Sequence, residues 1–122
     1  MKKVLIPEDN DNNFFLFQEL LKDMNVELIQ ARNGLEAIEY CDLNPDISLI
    51  LMDIKMPVMN GEEAAVIVKA RHPNIPIISQ TAYGVYGVVS DKNKHHFAGF
   101  IEKPINVGNL KDIIRKYCFD EK

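Results

Sequence analysis

The chain has 122 residues, 47% of them apolar and 26% charged, with a net charge of −4 at neutral pH. That length suits one domain over residues 1–122 with a core that needs no staples. The acidic balance argues against direct nucleic-acid binding, and no apolar run approaches the ~18 residues of a membrane segment.

Val4-Leu5-Ile6 reads as a short buried strand that stops at Pro7. Phe14, Phe17, Leu21 and Met24 then recur at helical spacing over 12–24, with Asn10, Asp11 and Asn12 as candidate caps. The Phe14/Phe17 stripe is a core face rather than a cofactor box. Val26 to Ala31 is the second strand. After the Asn33-Gly34 turn a second helix runs from Leu35 to Leu43, with Leu35, Ile38 and Cys41 facing inward, and Asn44-Pro45-Asp46 ends it. Ile47 to Met52 is unbroken and apolar, the mark of a central strand buried on both faces.

A third helix starts near Gly61, with Glu62 and Glu63 in its first turn, where negative charge is favourable, and ends at Arg71-His72-Pro73. Ile75 to Ser79 and Phe100 to Glu102 are the fourth and fifth strands. A last helix opens at the cap Asn106 and presents Leu110, Ile113, Ile114 and Tyr117. The place of a fourth helix, Tyr83 to Phe97, carries Gly84, Gly87 and three valines. Each glycine costs about 1 kcal/mol against alanine inside a helix, so this helix is expected to be short, irregular or displaced. Cys41 and Cys118 fall at apolar helical positions without metal-ligand spacing, which reads as buried thiols in a reducing, cytoplasmic compartment. The repeated β-α order predicts an α/β fold, a parallel sheet with helices on both faces.

Four strand ends carry polar chemistry: Glu8-Asp9 after the first, Asp53 after the third, Thr81 after the fourth and Lys103-Pro104 after the fifth. Open α/β sheets bind ligands at this edge. Two carboxylates ~4 Å apart repel by roughly 4 kcal/mol at an effective dielectric near 20, so three of them call for a cation. Magnesium fits an oxygen-donor site shared with phosphate. A divalent ion and Lys103 together neutralise Glu8, Asp9 and Asp53. Asp53 is then the carboxylate available as a nucleophile, since aspartate forms aspartyl-phosphates, and Thr81 and Lys103 are placed for the other phosphoryl oxygens.

The stretches LIPEDN, LILMDIKMPVMNG, QTA and FIEKPI occur in this order and at these strand ends. Together they identify the chain as similar to the receiver domains of two-component signalling, over nearly its whole length. Their wording looks most like receivers carried by hybrid histidine kinases. The resemblance implies a flavodoxin-like (βα)5 three-layer sandwich with strand order 2-1-3-4-5. It implies that Asp53 is the phosphoacceptor, supplied by a phosphohistidine on a histidine kinase or a histidine phosphotransfer partner. By the same likeness Asp9 and Asp53 ligate Mg2+ directly, Glu8 does so through water, and Lys55 does so through its backbone carbonyl. Thr81 is then the switch hydroxyl, Lys103 the phosphate-binding lysine, Phe100 the aromatic switch residue, and Lys103-Pro104 a cis peptide.

Two departures carry expectations. Phe100 has no hydroxyl, so a switch there works by burial. Lys55 sets a cation near the acceptor and is expected to alter the lifetime of the phosphate through the access of water. Self-association into a homodimer is left open. A haloacid-dehalogenase-type phosphatase fits less well, because it wants an Asp where Lys55 stands. A flavodoxin-like mononucleotide binder fits less well, because Pro7-Glu8-Asp9-Asn10-Asp11 would repel phosphate.

Overall fold

Each apolar run of the sequence takes a place in one parallel sheet. In the computed structural model, which describes residues 1–82 and 89–119, the strands are β1 (Lys2–Pro7), β2 (Val26–Ala31), β3 (Leu49–Asp53), β4 (Ile77–Thr81) and β5 (Gly99–Glu102). They lie in the order β2-β1-β3-β4-β5, and every pairing is parallel. This is the flavodoxin-like order expected. The helices are α1 (Asp11–Leu20), α2 (Gly34–Leu43), α3 (Gly61–Arg71) and α4 (Val107–Cys118), and a 3-10 helix spans Asp91–His96.

Side-chain alternation divides the core between the two faces of the sheet. Leu5, Ile50, Met52 and Ile77 pack with Ala37, Ile38 and Cys41 of α2 and with Ala64, Ala65 and Val68 of α3. Val4, Ile6, Leu49, Leu51 and Ile78 pack with Phe14 and Phe17 of α1 and with Leu110 and Ile114 of α4. All five residues of β3 are buried, which explains why its run in the sequence has no alternation. Each large aliphatic side chain so covered contributes about 1.5–3 kcal/mol.

Asparagine starts every one of these four helices. The side chains of Asn10, Asn33, Asn60 and Asn106 accept the N–H of Asn13, Glu36, Glu63 and Asn109 at 2.8–3.0 Å. Such a cap is worth about 1 kcal/mol. At α3, Glu63 also reaches back to the Asn60 N–H at 3.4 Å, completing a capping box.

Four local expectations change, the first being that β3 runs over Leu49–Asp53 rather than from Ile47 to Met52. Leu35 is 45% exposed rather than inward. The buried positions of α2 are Gly34, Ala37, Ile38 and Cys41, because Gly34 sits against a loop and its N–H bonds to the Met59 carbonyl at 2.9 Å. That contact sets the rotation of the helix. α1 ends at Leu20 rather than near Met24: Leu21 leaves helical geometry, and Asn25, at φ 56, turns the chain into β2. β4 begins at Ile77 rather than Ile75, since Pro76 has no N–H for the ladder and offers only its carbonyl to Ile50. Of the expected irregular fourth helix, residues 83–88 lie outside the described residues. From Asp91 the chain forms the 3-10 helix, which buries none of its residues.

Cys41 and Cys118 are buried free thiols. Burial pushes them up to about 12 and about 11, so neither is a reactive thiolate. Among the described residues no helix is long and apolar enough to cross a membrane.

Candidate functional site

The carboxyl edge of the sheet gathers the acids. β1 ends at Pro7, and the pairing with β2 runs one residue further, because the Glu8 N–H donates to the Ala31 carbonyl at 2.8 Å. This pulls Glu8 inward to 2% exposure. Its Oε2 accepts the Asn10 N–H at 3.2 Å, and its carbonyl accepts Gln30 Nε2 at 3.0 Å. Burial pushes the Glu8 carboxyl above its usual range, the nearby Asp53 charge adds to this, and the Asn10 bond offsets only part of it. Asp9 is exposed.

Asp53 is 7% exposed and held from two sides. Its Oδ1 accepts the Lys55 N–H at 3.2 Å, and its Oδ2 lies 3.2 Å from the Lys103 ammonium. Carboxylate oxygens of Glu8, Asp9 and Asp53 lie within 4.8 Å of one another. At that separation each charged pair repels by about 3.5 kcal/mol at an effective dielectric near 20. Three acceptor-only groups converging in this way, one of them buried, fit a hard divalent cation with oxygen ligands.

The loop after Asp53 is folded tightly under the site. The Gly61 N–H donates to the Ile54 carbonyl at 2.9 Å. A Cβ on Gly61 would stand 2.1 Å from the Asp53 carbonyl oxygen, and one on Gly34 would stand 2.5 Å from the Met59 carbonyl oxygen. Only glycine lets the starts of α2 and α3 approach the loop so closely. Val58, at the loop tip, has φ 68, a left-handed conformation that a β-branched residue rarely adopts.

Lys103 leaves β5 through a cis bond to Pro104. Its N–H donates to the Thr81 carbonyl at 2.7 Å. Thr81 ends β4, one residue past Gln80, which is the register partner of Asp53. The Thr81 hydroxyl is directed to the Ile101 carbonyl of β5, at 3.5 Å. Thr81 lines a cleft of about 530 Å³ together with Phe97, Phe100 and Lys103. Phe100 is 63% exposed at its edge. The structure thus joins Glu8, Asp9, Asp53 and Lys103 directly, sets the Lys55 backbone against Asp53, and groups Thr81 with Phe100 around the cleft.

The family model for the response regulator receiver domain matches residues 4–115. The chain belongs to this receiver family. A curated relative, the polar-differentiation response regulator DivK of Brucella anthropi, is 37% identical over 124 residues, covering 98% of each chain. The solved structure of response regulator TrrA from Thermotoga maritima, in complex with Mg2+-BeF, aligns with a TM-score of 0.83 at 30% identity, over 96% of this chain and 99% of that one. A second structure, of histidine kinase ThkA in complex with TrrA, aligns with a TM-score of 0.82 at 30% identity, over 96% and 98%.

Sequence reasoning missed four contributors to this receiver site. Gly34 looked like a turn residue and Gly61 like a plain helix start, although a glycine opening a helix beside an acidic loop was a signal of close approach. Glu62 looked like a first-turn acid. Its carboxylate also accepts the Ser90 N–H and hydroxyl at 2.6 Å and the Asn93 side-chain amide at 2.8 Å, tying the 3-10 helix to α3. Gln80 is buried to 2% exposure and was visible only as a neighbour of Thr81.

Proposed function

We propose that Asp53 is the phosphoacceptor of this receiver and takes its phosphoryl group from a phosphohistidine on a histidine kinase or a histidine phosphotransfer domain. The observation that carries the reading is the Asp53 carboxylate, buried and braced between the Lys55 N–H and the Lys103 ammonium, with two further carboxylates converging on it. Glu8, Asp9, Asp53 and the Lys55 carbonyl are the residues that would hold Mg2+. When bound, the ion supplies positive charge that offsets the three acids and the phosphoryl oxygens.

The chain's own groups do the rest. One Asp53 oxygen attacks phosphorus, the P–N bond to the partner histidine breaks, and the imidazole leaves with the electron pair and takes up a proton. Lys103 follows the developing negative charge on a phosphoryl oxygen, and the Thr81 hydroxyl turns from Ile101 to another. Movement of Thr81 opens the cleft toward Phe100, whose ring gains a buried site. Hydrolysis of the acyl phosphate resets the domain, with Lys55 beside the path of the water. Phe15 and Leu16 are exposed, 59% and 50%, on α1, the helix that follows Glu8-Asp9 in the chain. They give a helical phosphohistidine carrier an apolar surface to rest on. The TrrA complexes with Mg2+-BeF and with ThkA support this reading by likeness.

Incubation with Mg2+ and acetyl phosphate, followed by intact mass, tests it. One phosphoryl group is expected on the wild type and none on Asp53→Ala. Equal addition to both rejects the assignment.

A further inference from the structure

Gln80 has no part in the transfer as written above, yet its setting is specific. It is 2% exposed, in register with Asp53 on one side and Ile101 on the other. Ile78, Leu51 and Ile101 belong to the same core cluster. Side chains alternate along a strand, so Gln80, Asp53 and Lys103, each two residues further on, share that face of the sheet.

Gln80 Nε2 donates to the Leu51 carbonyl at 2.8 Å. A carbonyl only accepts, so this bond fixes which end of the carboxamide is nitrogen. The other end, Oε1, is buried and has no hydrogen-bond partner among the described residues. It carries a desolvation penalty that methionine or leucine at this position would not.

Lys103 reaches Asp53 across β4, the strand that carries Gln80. Its backbone is anchored on the Thr81 carbonyl, and its ammonium lies 3.2 Å from Asp53 Oδ2. β4 stands between β5 and β3, so the Lys103 side chain crosses the end of β4 on the Gln80 face. An ammonium has three donors, and Asp53 takes one. In the resting site that donor occupies the very carboxylate that must attack phosphorus.

We infer that Gln80 is a positioning residue: its Oε1 is a second acceptor that keeps the Lys103 ammonium at the rim as it passes from Asp53 to a phosphoryl oxygen. The inference rests on the phosphoacceptor reading of Asp53. Without Gln80 Oε1, the ammonium either stays on the carboxylate or is lost to water, and productive exchange slows.

Gln80→Met tests this, because methionine keeps the length of the side chain, and removing the unpaired Oε1 offsets the lost bond to the Leu51 carbonyl. With Mg2+ and acetyl phosphate, Gln80→Met is expected to phosphorylate about tenfold more slowly than wild type, which is about 1.4 kcal/mol, with no loss of melting temperature. In a Lys103→Ala background the same substitution should change the rate less than twofold, because Gln80 acts through Lys103. Gln80→Leu replaces Gln80→Met if the latter does not fold.

A spectroscopic readout does not depend on turnover. The Gln80 side-chain amide resonances should shift on adding Mg2+ and beryllofluoride to the wild type, and not in Lys103→Ala. A wild-type rate in Gln80→Met, an equal loss in both backgrounds, or an amide shift that survives Lys103→Ala overturns the inference. If the wild type takes up phosphate lost in Asp53→Ala while Gln80→Met matches the wild type, this inference alone fails. If no chain takes up phosphate, both readings fail.

Discussion

The two halves of the carboxyl edge are built differently. On the β1–β3 side, every residue of β3 is buried, Glu8 is drawn inward by strand pairing, and two glycines lock the loop after Asp53 against the helices. On the β4–β5 side, β5 buries fully only Ile101 of its four residues, Phe100 is exposed, and the 3-10 helix buries nothing and is tied to α3 through Glu62. The three acids sit on the firm half. Thr81, Phe100 and Lys103 sit on the other, where β5 and the 3-10 helix bury little and local opening costs least.

Perturbations can break or sharpen this contrast. The largest effect belongs to Asp53→Ala, which should abolish phosphate uptake altogether, as read by intact mass. Gly61→Ala comes next, since its Cβ would stand 2.1 Å from the Asp53 carbonyl oxygen. It should cost about 3 kcal/mol in urea unfolding, and a cost below 1 kcal/mol would show that the firm half yields easily. Mg2+ at a hundred times its Kd should stabilise the wild type by about 2.7 kcal/mol. Calorimetry should find that gain missing in the Glu8→Gln/Asp9→Asn double variant.

On the loose half, Glu62→Ala should cost only about 1 kcal/mol globally but raise amide exchange across residues 89–96. Its pH dependence has a definite sign. Burial, the largest single cause, pushes the Glu62 carboxyl up, but the bonds from Ser90 and Asn93 together hold it below its ordinary 4.5. The clamp is therefore at full strength above 4.5 and is lost as pH falls from there through the lowered value. In Glu62→Ala, exchange in 89–96 should lose that acid sensitivity. The smallest effect is expected from Phe100→Ala, within about 0.5 kcal/mol of wild type in the resting state. A larger drop would mean that β5 is packed as firmly as β3.

Much of this was legible in the chain itself. The unbroken run before Asp53 announced a doubly covered strand, and Asn10 and Asn106 stood out as caps, because burial and capping are local preferences that composition records directly. Leu35 misled because helical spacing alone leaves the rotation of a short helix open by a residue, and the Gly34–Met59 contact settled it. Glu62 misled for a different reason: a first-turn acid is satisfied by its own helix dipole, so nothing local announced its bonds to Ser90 and Asn93, 28 and 31 residues away.

The order of buried runs, caps and strand-end side chains determined a parallel α/β sheet with three acids, a hydroxyl and a lysine at one edge. That much follows from the sequence, because side-chain period and turn chemistry act over a few residues. Tertiary structure decided what could not be local. It drew Glu8 into the protein, brought Lys103 across β4 to Asp53, left the Thr81 hydroxyl on β5, and buried one end of Gln80 without a partner among the described residues. Those are contacts between strands far apart in the chain, and only the register of the folded sheet sets the distances on which charge and hydrogen bonding depend.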